Sequence, residues 1–176
     1  MRIIAGKHRG RKLIGFEGKS VRPTSDRVKE SLFQILTPRL AGARVLDLFC
    51  GSGALGLESL SRGAAEVTFN DISAASLRIV KSNLALLKEQ AEILNLDFRA
   101  ALKCVRGKFD LIFIDPPYGE DFRAEILHLV RERALLNDGG IVIYESEREE
   151  PSEEGWEAVD TRRYGRTKIF FFGETT

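Results

Sequence analysis

The feature of this sequence that most constrains its fold is a regular alternation of short apolar runs with longer helical patterns. The runs occupy 45–49, 67–69, 93–94, 111–114 and 141–144, and the helical patterns occupy 54–61, 73–87 and 123–136. Short apolar runs without polar alternation are typical of strands covered on both faces, and their alternation with helices indicates βαβ units. Residues 156–164 and 167–172, separated by Gly165, instead predict an antiparallel hairpin. The sequence therefore predicts an α/β fold with a mostly parallel sheet, helices on both faces and a C-terminal hairpin.

Charge is distributed unevenly along a chain whose net charge is small. The 176 residues carry 27 Lys and Arg against 26 Asp and Glu, which argues against a histone-like or ribosomal-protein-like binder. Residues 1–40, however, contain ten basic and three acidic side chains, so the remainder is acidic. The same segment predicts an amphipathic helix that starts at 24–26 and ends at Pro38. We therefore divide the chain into a basic arm and helix at 1–40 and a main domain at 41–176.

Cysteine content and hydropathy indicate the compartment. Cys50 and Cys104 are too few for a disulfide framework, and no His, Cys and Asp constellation has the spacing of a metal site. The N-terminus lacks the apolar stretch of a signal peptide, and no apolar run approaches the roughly 20 residues that span a bilayer. We expect a cytoplasmic protein with no bound metal and no membrane contact.

A glycine-rich turn between a predicted strand and a predicted helix is the strongest local signal for a ligand. Gly51, Gly53 and Gly56 fit G-x-G-x-x-G, in which the missing side chains let the backbone turn tightly near a nucleotide. The pattern alone is weak, because a purely structural turn has the same spacing. Asp71 strengthens it, because this residue ends the next predicted strand, where a carboxylate accepts hydrogen bonds from ribose hydroxyls.

Asp47, just before the glycine turn, favours a cationic cofactor over a dinucleotide. A carboxylate at this position would repel a pyrophosphate. S-adenosylmethionine (SAM) carries a sulfonium and an ammonium group together with a ribose, so Asp47 and Asp71 fit it jointly. After the third predicted strand, Asp97 is a candidate acceptor for the adenine amine and Phe98 for packing on the adenine ring, although Phe98 is equally compatible with a place in the core.

The sequence Asp-Pro-Pro-Tyr at 115–118 comes directly after the fourth predicted strand. Its two prolines lack N–H groups, so this strand end offers carbonyl and carboxylate acceptors without a competing backbone donor. Such acceptors suit an amine substrate: Asp115 and the carbonyl of Pro116 would hold its two N–H bonds and turn the nitrogen lone pair toward the sulfonium methyl group. Tyr118 would stack on the base. A rigid turn without function is the alternative interpretation, since Pro and Asp are common turn residues.

These motifs together resemble those of class I SAM-dependent methyltransferases that act on amino groups. The sequences RIIAG at 2–6, RGRKL at 9–13 and RPTSDRVKESLF at 22–33 are similar to those of the RsmD family of bacterial ribosomal RNA (guanine-N2) methyltransferases. The resemblance implies a Rossmann-like, seven-stranded sheet and methylation of the exocyclic N2 of one guanine in 16S ribosomal RNA. It implies as substrate the small ribosomal subunit or its assembly intermediate, and we expect the enzyme to act as a monomer.

The local patterns and the resemblance assign three groups of site residues. The expected cofactor-binding residues are Asp47, Phe49, Gly51, Ser52, Gly53, Asp71, Ile72, Asp97 and Phe98. The expected catalytic residues are Asp115, Pro116, Pro117 and Tyr118. The basic residues expected to contact RNA phosphates are Lys7, Arg9, Arg11, Lys12, Arg22, Arg27 and Lys29.

Three other functions remain open from the sequence. An adenine-N6 methyltransferase of DNA or RNA would use the same acceptors, but the N-terminal resemblance and the lack of an added target-recognition domain at this length argue against it. A non-catalytic RNA-binding module would retain the fold, but the intact motif at 115–118 argues against that. An NAD-dependent oxidoreductase would rest on the glycine turn alone.

Overall fold

The computed structural model describes residues 1–16, 23–116, 122–147 and 153–175. The helices are α1 (Pro23–Leu40), α2 (Ala54–Ser61), α3 (Ala74–Leu87), α4 (Phe98–Cys104) and α5 (Arg123–Glu132). The strands are β1 (Arg44–Asp47), β2 (Glu66–Asn70), β3 (Glu92–Leu94), β4 (Phe109–Ile114), β5 (Leu136–Ser146), β6 (Trp156–Tyr164) and β7 (Thr167–Glu174). Within these ranges, no helix is long and apolar enough to cross a membrane, and no group of three or more His, Cys, Asp or Glu side chains is arranged to hold a metal ion.

The strands form one seven-stranded sheet in the order β3-β2-β1-β4-β5-β7-β6. The first five strands of this order are parallel, whereas β7 runs antiparallel to both β5 and β6. The chain moves outward from β1 to β3 and then returns to β4, so the strand order reverses between β1 and β4, the position at which open α/β sheets bind ligands. This arrangement confirms the predicted mostly parallel sheet with its antiparallel C-terminal hairpin.

Each face of the sheet packs against helices and has its own core. Alternate residues along β1 divide between the faces: Val45 packs in the core that contains α1, α2 and α3 residues, and Leu46 packs in the core that contains α4 and α5 residues. We call these the α1 face and the α5 face. Phe33 of α1 is fully buried against Phe113 of β4, with ring centroids 5.9 Å apart. The continuous apolar runs of the sequence reflect this cover on both faces.

Two helix ends differ from those expected. The prediction that Pro38 ends the first helix is wrong, because α1 continues to Leu40. Pro38 lies in the last turn, where its missing N–H removes only one hydrogen bond. The fifth helix ends at Glu132 rather than at 136, because Ala134 adopts a left-handed backbone conformation with φ of 48° and the chain then enters β5.

Residues 1–16 pack onto the sheet and helices. Ile3 and Leu13 are buried in the core of the α1 face, and an isolated antiparallel bridge pairs Arg2 with Lys12. The side-chain amide of Asn83 in α3 accepts the backbone N–H of Ile14 at 2.8 Å and donates to the carbonyl of Ile14 at 2.9 Å. The described part of the basic segment is therefore ordered against the main sheet.

Glu58 of α2 joins this N-terminal segment to two helices. Its buried carboxylate accepts the backbone N–H groups of Ile4 at 2.9 Å and Ala5 at 3.0 Å. It also pairs with Arg62 of the same helix at 2.8 Å and lies 3.6 Å from the Lys29 ammonium of α1. A buried carboxylate is tolerated when hydrogen bonds and opposite charges satisfy it. Glu58 therefore fixes the N-terminal segment, α1 and α2 relative to one another.

Candidate active site

The carboxyl ends of β2, β1, β4 and β5 meet at one edge of the sheet, which we call the carboxyl edge. The parallel register aligns their ends: Asp47 pairs with Phe69 and with Phe113, and Ile114 pairs with Tyr144. The glycine turn follows β1, and the expected catalytic motif follows β4, the neighbouring strand. The structure thus brings the expected cofactor-binding and catalytic segments to adjacent strand ends.

The glycine turn is held by the carboxylate that follows β2. Asp71 accepts the backbone N–H of Gly51 at 2.8 Å. Gly53 has φ of 84°, a conformation that favours glycine, and a Cβ atom at Gly56 would lie 2.2 Å from the ring of Phe69. Backbone conformation at one position and close packing at another therefore account for the glycine spacing.

Asp47 lies beneath this turn and is only 2% exposed. Its carboxylate accepts the backbone N–H of Gly56, in the first turn of α2, at 3.0 Å. Burial raises the pKa of Asp47 to about 7; the Gly56 hydrogen bond opposes the rise, and the charges of Asp115 and Asp71 add to it. Asp47 therefore supports the glycine turn through its hydrogen bond and contributes its charge to the site from a buried position.

The residues after β2 form a surface that fits the adenosine part of a cofactor. Each Asp71 oxygen accepts one backbone N–H, from Gly51 and from Ser73, which leaves a lone pair on each oxygen for a ribose hydroxyl. The apolar side chain of Ile72 is 75% exposed. Asn95 donates to the carbonyls of Asp71 and Ile72, both at 2.9 Å, and so fixes this segment. Asn95 belongs to no recognisable motif, and the sequence analysis missed it.

Asp97 and Phe98 begin α4 in different environments. Asp97 caps the helix by accepting the backbone N–H of Arg99 at 2.9 Å, and its side chain remains 44% exposed. Phe98 is buried and packs against Phe49 and Phe122, with ring centroids 5.7 Å and 4.9 Å away. The burial of Phe98 supports the core alternative for this residue, whereas Phe49 is half-buried.

Two carboxyl groups stand side by side at the ends of β4 and β5. Asp115 follows β4 and is accessible to solvent, yet protein encloses it enough that burial raises its pKa to about 6. Glu145 is half-buried, and burial together with the charge of Asp115 raises its pKa to about 7. Within the described residues, neither carboxylate has a hydrogen-bond or ion-pair partner. The sequence analysis missed Glu145; its position level with Asp115 on the next strand is the signal that reveals it.

The rest of the expected catalytic motif is described only in part. Pro116 is half-buried beside Asp115. Pro117 and Tyr118 lie outside the described residues, so their expected roles stay predictions. Ser52, in the glycine turn, is half-buried and its hydroxyl lies 3.3 Å from the sulfur of Met1, so the N-terminal segment reaches the cofactor turn.

The basic residues of the N-terminal segment differ in exposure and in pairing, and Lys7 is both exposed and paired. Lys7 pairs with Glu89 at 2.6 Å. Lys29 is only 6% exposed, its ammonium donates to the carbonyl of Arg2 at 2.8 Å, and burial lowers its pKa. The other exposed members are Arg9, Arg11, Lys12 and Arg27. Arg22 lies outside the described residues.

The fold, its strand order and the motifs at the carboxyl edge define a class I methyltransferase. The family model described as conserved hypothetical protein 95 matches residues 1–173, and the chain belongs to this family, the RsmD family. Its sequence is 38% identical over 172 residues to "Ribosomal RNA small subunit methyltransferase D" of Haemophilus influenzae, covering 94% of this chain and 89% of that protein. The protein of the same name from Escherichia coli is 39% identical over 148 residues, covering 84% and 75%. The solved structure of yhhF from Escherichia coli has a TM-score of 0.88 at 33% identity and covers 99% of this chain and 97% of that one.

The raised pKa of Asp47 predicts a pH-dependent stability. Because the folded-state pKa of about 7 lies above the unfolded value near 3.8, the folded state binds the proton more tightly, and stability decreases as pH rises through this interval. Asp47→Asn keeps an oxygen acceptor for Gly56 but cannot ionise. We expect the free energy of unfolding of this variant, minus that of wild type, to increase from pH 5 to pH 8 in urea titrations, because only the wild type loses stability as Asp47 ionises. A difference that is the same at both pH values would contradict the raised pKa.

Proposed function

We propose that this chain transfers a methyl group from SAM to the exocyclic N2 of a guanine in 16S ribosomal RNA, on the small subunit or its assembly intermediate. One observation carries the proposal: the glycine turn, held by the Asp71 carboxylate, and Asp115 with Pro116 follow the adjacent strands β1 and β4. Relatives named for small-subunit ribosomal RNA methylation, matched over most of the chain, support this substrate. We expect the protein to act as a monomer in the cytoplasm.

The residues after β1, β2 and β3 would hold SAM, which supplies an electrophilic methyl group on a sulfonium. Asp71 would bind the ribose hydroxyls, and the exposed Ile72 would pack on the adenine. The exposed carboxylate of Asp97 would accept a hydrogen bond from the adenine amine. The glycine turn would let the backbone come close to the cofactor. The charge of Asp47, beneath the turn, would favour the cationic part of SAM.

Asp115 and Pro116 would hold the target amine. The Asp115 carboxylate and the Pro116 carbonyl would each accept one N–H bond, and this geometry turns the nitrogen lone pair toward the methyl group. A proline at 116 has no N–H to compete for the amine. Tyr118 would stack on the guanine, as the family resemblance implies.

The Asp115 and Glu145 pair is suited to take up the proton that the amine loses after transfer. Both carboxyl groups have pKa values raised toward neutrality, and each lowers the tendency of the other to ionise. A group whose pKa lies near the working pH accepts a proton most effectively. We propose that positioning by Asp115 contributes to the rate together with this proton transfer.

Nucleoside analysis tests the proposal directly. Radiolabelled SAM is incubated with unmodified small ribosomal subunits, with naked 16S RNA and with DNA, and the labelled nucleosides are separated. We expect N2-methylguanosine from the subunit or its RNA. Label in N6-methyladenosine would instead establish the adenine-specific alternative, and RNA binding without any label would establish the non-catalytic alternative.

Replacing Asp115 separates the amine site from the cofactor site. We expect Asp115→Ala to lower kcat/KM by at least roughly 100-fold, because it removes an acceptor and a proton-accepting group. SAM affinity should stay within about threefold in calorimetry, since Asp115 acts on the amine. Asp138→Ala, an exposed carboxylate near the start of β5, is the matched control and should retain wild-type rates. A parallel loss of SAM affinity in Asp115→Ala would remove Asp115 from the role of amine acceptor.

The exposed arm residues are proposed to contact RNA phosphates. Arg9→Gln combined with Arg11→Gln should weaken RNA binding and flatten the dependence of log affinity on log salt by roughly 1.5, because two phosphate contacts are lost. SAM affinity should not change. Arg106→Gln combined with Lys108→Gln removes the same charge from exposed positions at the opposite edge of the sheet. An arm variant with the salt slope of the wild type would show that the arm does not contact the backbone.

A further inference from the structure

The β6–β7 hairpin turns at the carboxyl edge, beside the active site. Because β7 runs antiparallel to β5, its first residues pair with the last residues of β5, and the turn at 165–166 lies just beyond them. At the level of Asp115, the sheet continues through Glu145 and Ile169 to Arg162. Arg162 is therefore three strand spacings, roughly 15 Å, from Asp115.

This end of the hairpin carries an excess of positive charge. Residues 160–168 include four basic side chains and one acidic side chain. Arg162 pairs with Asp160 at 2.9 Å. Arg163 and Arg166 are exposed and, within the described ranges, have no ion-pair partner. Exposed arginines in excess over carboxylates attract a polyanion, and their position beside the site is where a nucleic-acid substrate would pass.

A groove of about 540 Å³ lies between this hairpin and α1. Its lining residues are Ser31, Gln34, Ile35, Arg162, Arg163 and Tyr164, and none of them is acidic. The Tyr164 hydroxyl lies 2.6 Å from the hydroxyl of Ser31, so α1 and the hairpin are joined at the groove. Hydroxyl, amide and guanidinium groups are those that bind phosphate and sugar oxygens in protein–nucleic-acid contacts.

We propose that the β6–β7 turn end and its groove with α1 bind the sugar–phosphate backbone of the RNA next to the target nucleotide. The inference rests on the proposed function, since it takes RNA as the substrate. Arginine guanidinium groups pair with phosphates in a bidentate manner. Contacts of this kind set the position and register of the RNA and carry no sequence information.

The hairpin surface is separate from the N-terminal arm. The arm packs on α2 and α3 through Ser61 and Asn83, beside the half of the sheet that ends in β3. The hairpin forms the opposite end, β7 and β6. The two basic surfaces therefore lie toward opposite ends of the strand order, and the hairpin surface can be tested independently of the arm.

The test is the double variant Arg163→Gln with Arg166→Gln, compared with the control Arg106→Gln with Lys108→Gln. The control removes equal charge at the amino end of β4, where only the backbone carbonyls of Arg106 and Lys108 bind Arg44. Methyl transfer to unmethylated small subunits gives KM and kcat, and filter binding of naked 16S RNA gives affinity against salt. Calorimetry gives SAM affinity.

For the hairpin variant we expect KM to rise by roughly tenfold and the slope of log affinity against log salt to flatten by about 1.5. Its kcat and SAM affinity should stay within about twofold of wild type, and the control should match wild type throughout. An unchanged KM and salt slope, or an equal loss in the control, would overturn the proposal. If the wild type transfers no methyl group to guanine, the proposed function fails, and the salt dependence of RNA binding still decides for or against the hairpin surface.

Discussion

The positions of the candidate cofactor and amine groups follow from one constraint, the common direction of five neighbouring strands. Parallel strands end at the same edge, so the segments after β2, β1, β4 and β5 lie next to each other although they are far apart in sequence. The reversal of strand order between β1 and β4 opens that edge to a ligand. The antiparallel β7 then returns the chain to the same edge and adds a basic turn to it. One sheet topology thus places the proposed cofactor, amine and RNA surfaces side by side.

Concentrating carboxylates at this edge has an electrostatic cost. Burial first, and then mutual repulsion, raise the pKa values of Asp47 and Glu145, and burial raises that of Asp115. Perturbed pKa values of this kind cluster at functional sites, because the arrangement that opposes ionisation also favours a cationic ligand. The folded chain is less stable there than a neutral edge would be. A cofactor with a positive charge would offset part of that repulsion.

Periodicity was sufficient to predict most of the fold, because strands buried on both faces leave uninterrupted apolar runs and the glycine turn has strict steric requirements. The hairpin followed from β-rich runs on either side of Gly165. The short helix α4 left no such pattern, and the end of α5 depends on the backbone conformation of Ala134. Local sequence carries little information about either.

The candidate site was predictable where a side chain acts through its own motif and unpredictable where it acts through a distant partner. Asp71 and Asp47 lie at the glycine turn beside which the sequence places them, and their contacts with a cofactor stay predictions. Glu145 and Asn95 can be recognised as site residues only in the folded structure, where strands and loops that are distant in sequence are adjacent. The pairing of Lys7 and Lys29 with distant carboxylates likewise depends on tertiary packing. A basic residue in the sequence is therefore not always an exposed and unpaired charge in the folded chain, as Lys7 is paired and Lys29 is buried.

The hydrogen bonds from Ile4 and Ala5 to Glu58 also bear on the order in which parts of the chain can fold. Residues 1–13 are synthesised before their hydrogen-bond partners, because Glu58 and Ser61 lie more than 50 positions later and the Lys7 partner Glu89 lies later still. During synthesis this cationic segment has no fold to join, and closing such long loops is slow compared with forming local helices. The contacts of residues 1–13 with α2 and with Glu89 can therefore form only after α2 and α3 have been synthesised, so we expect the docking of this cationic segment to be a late step in folding.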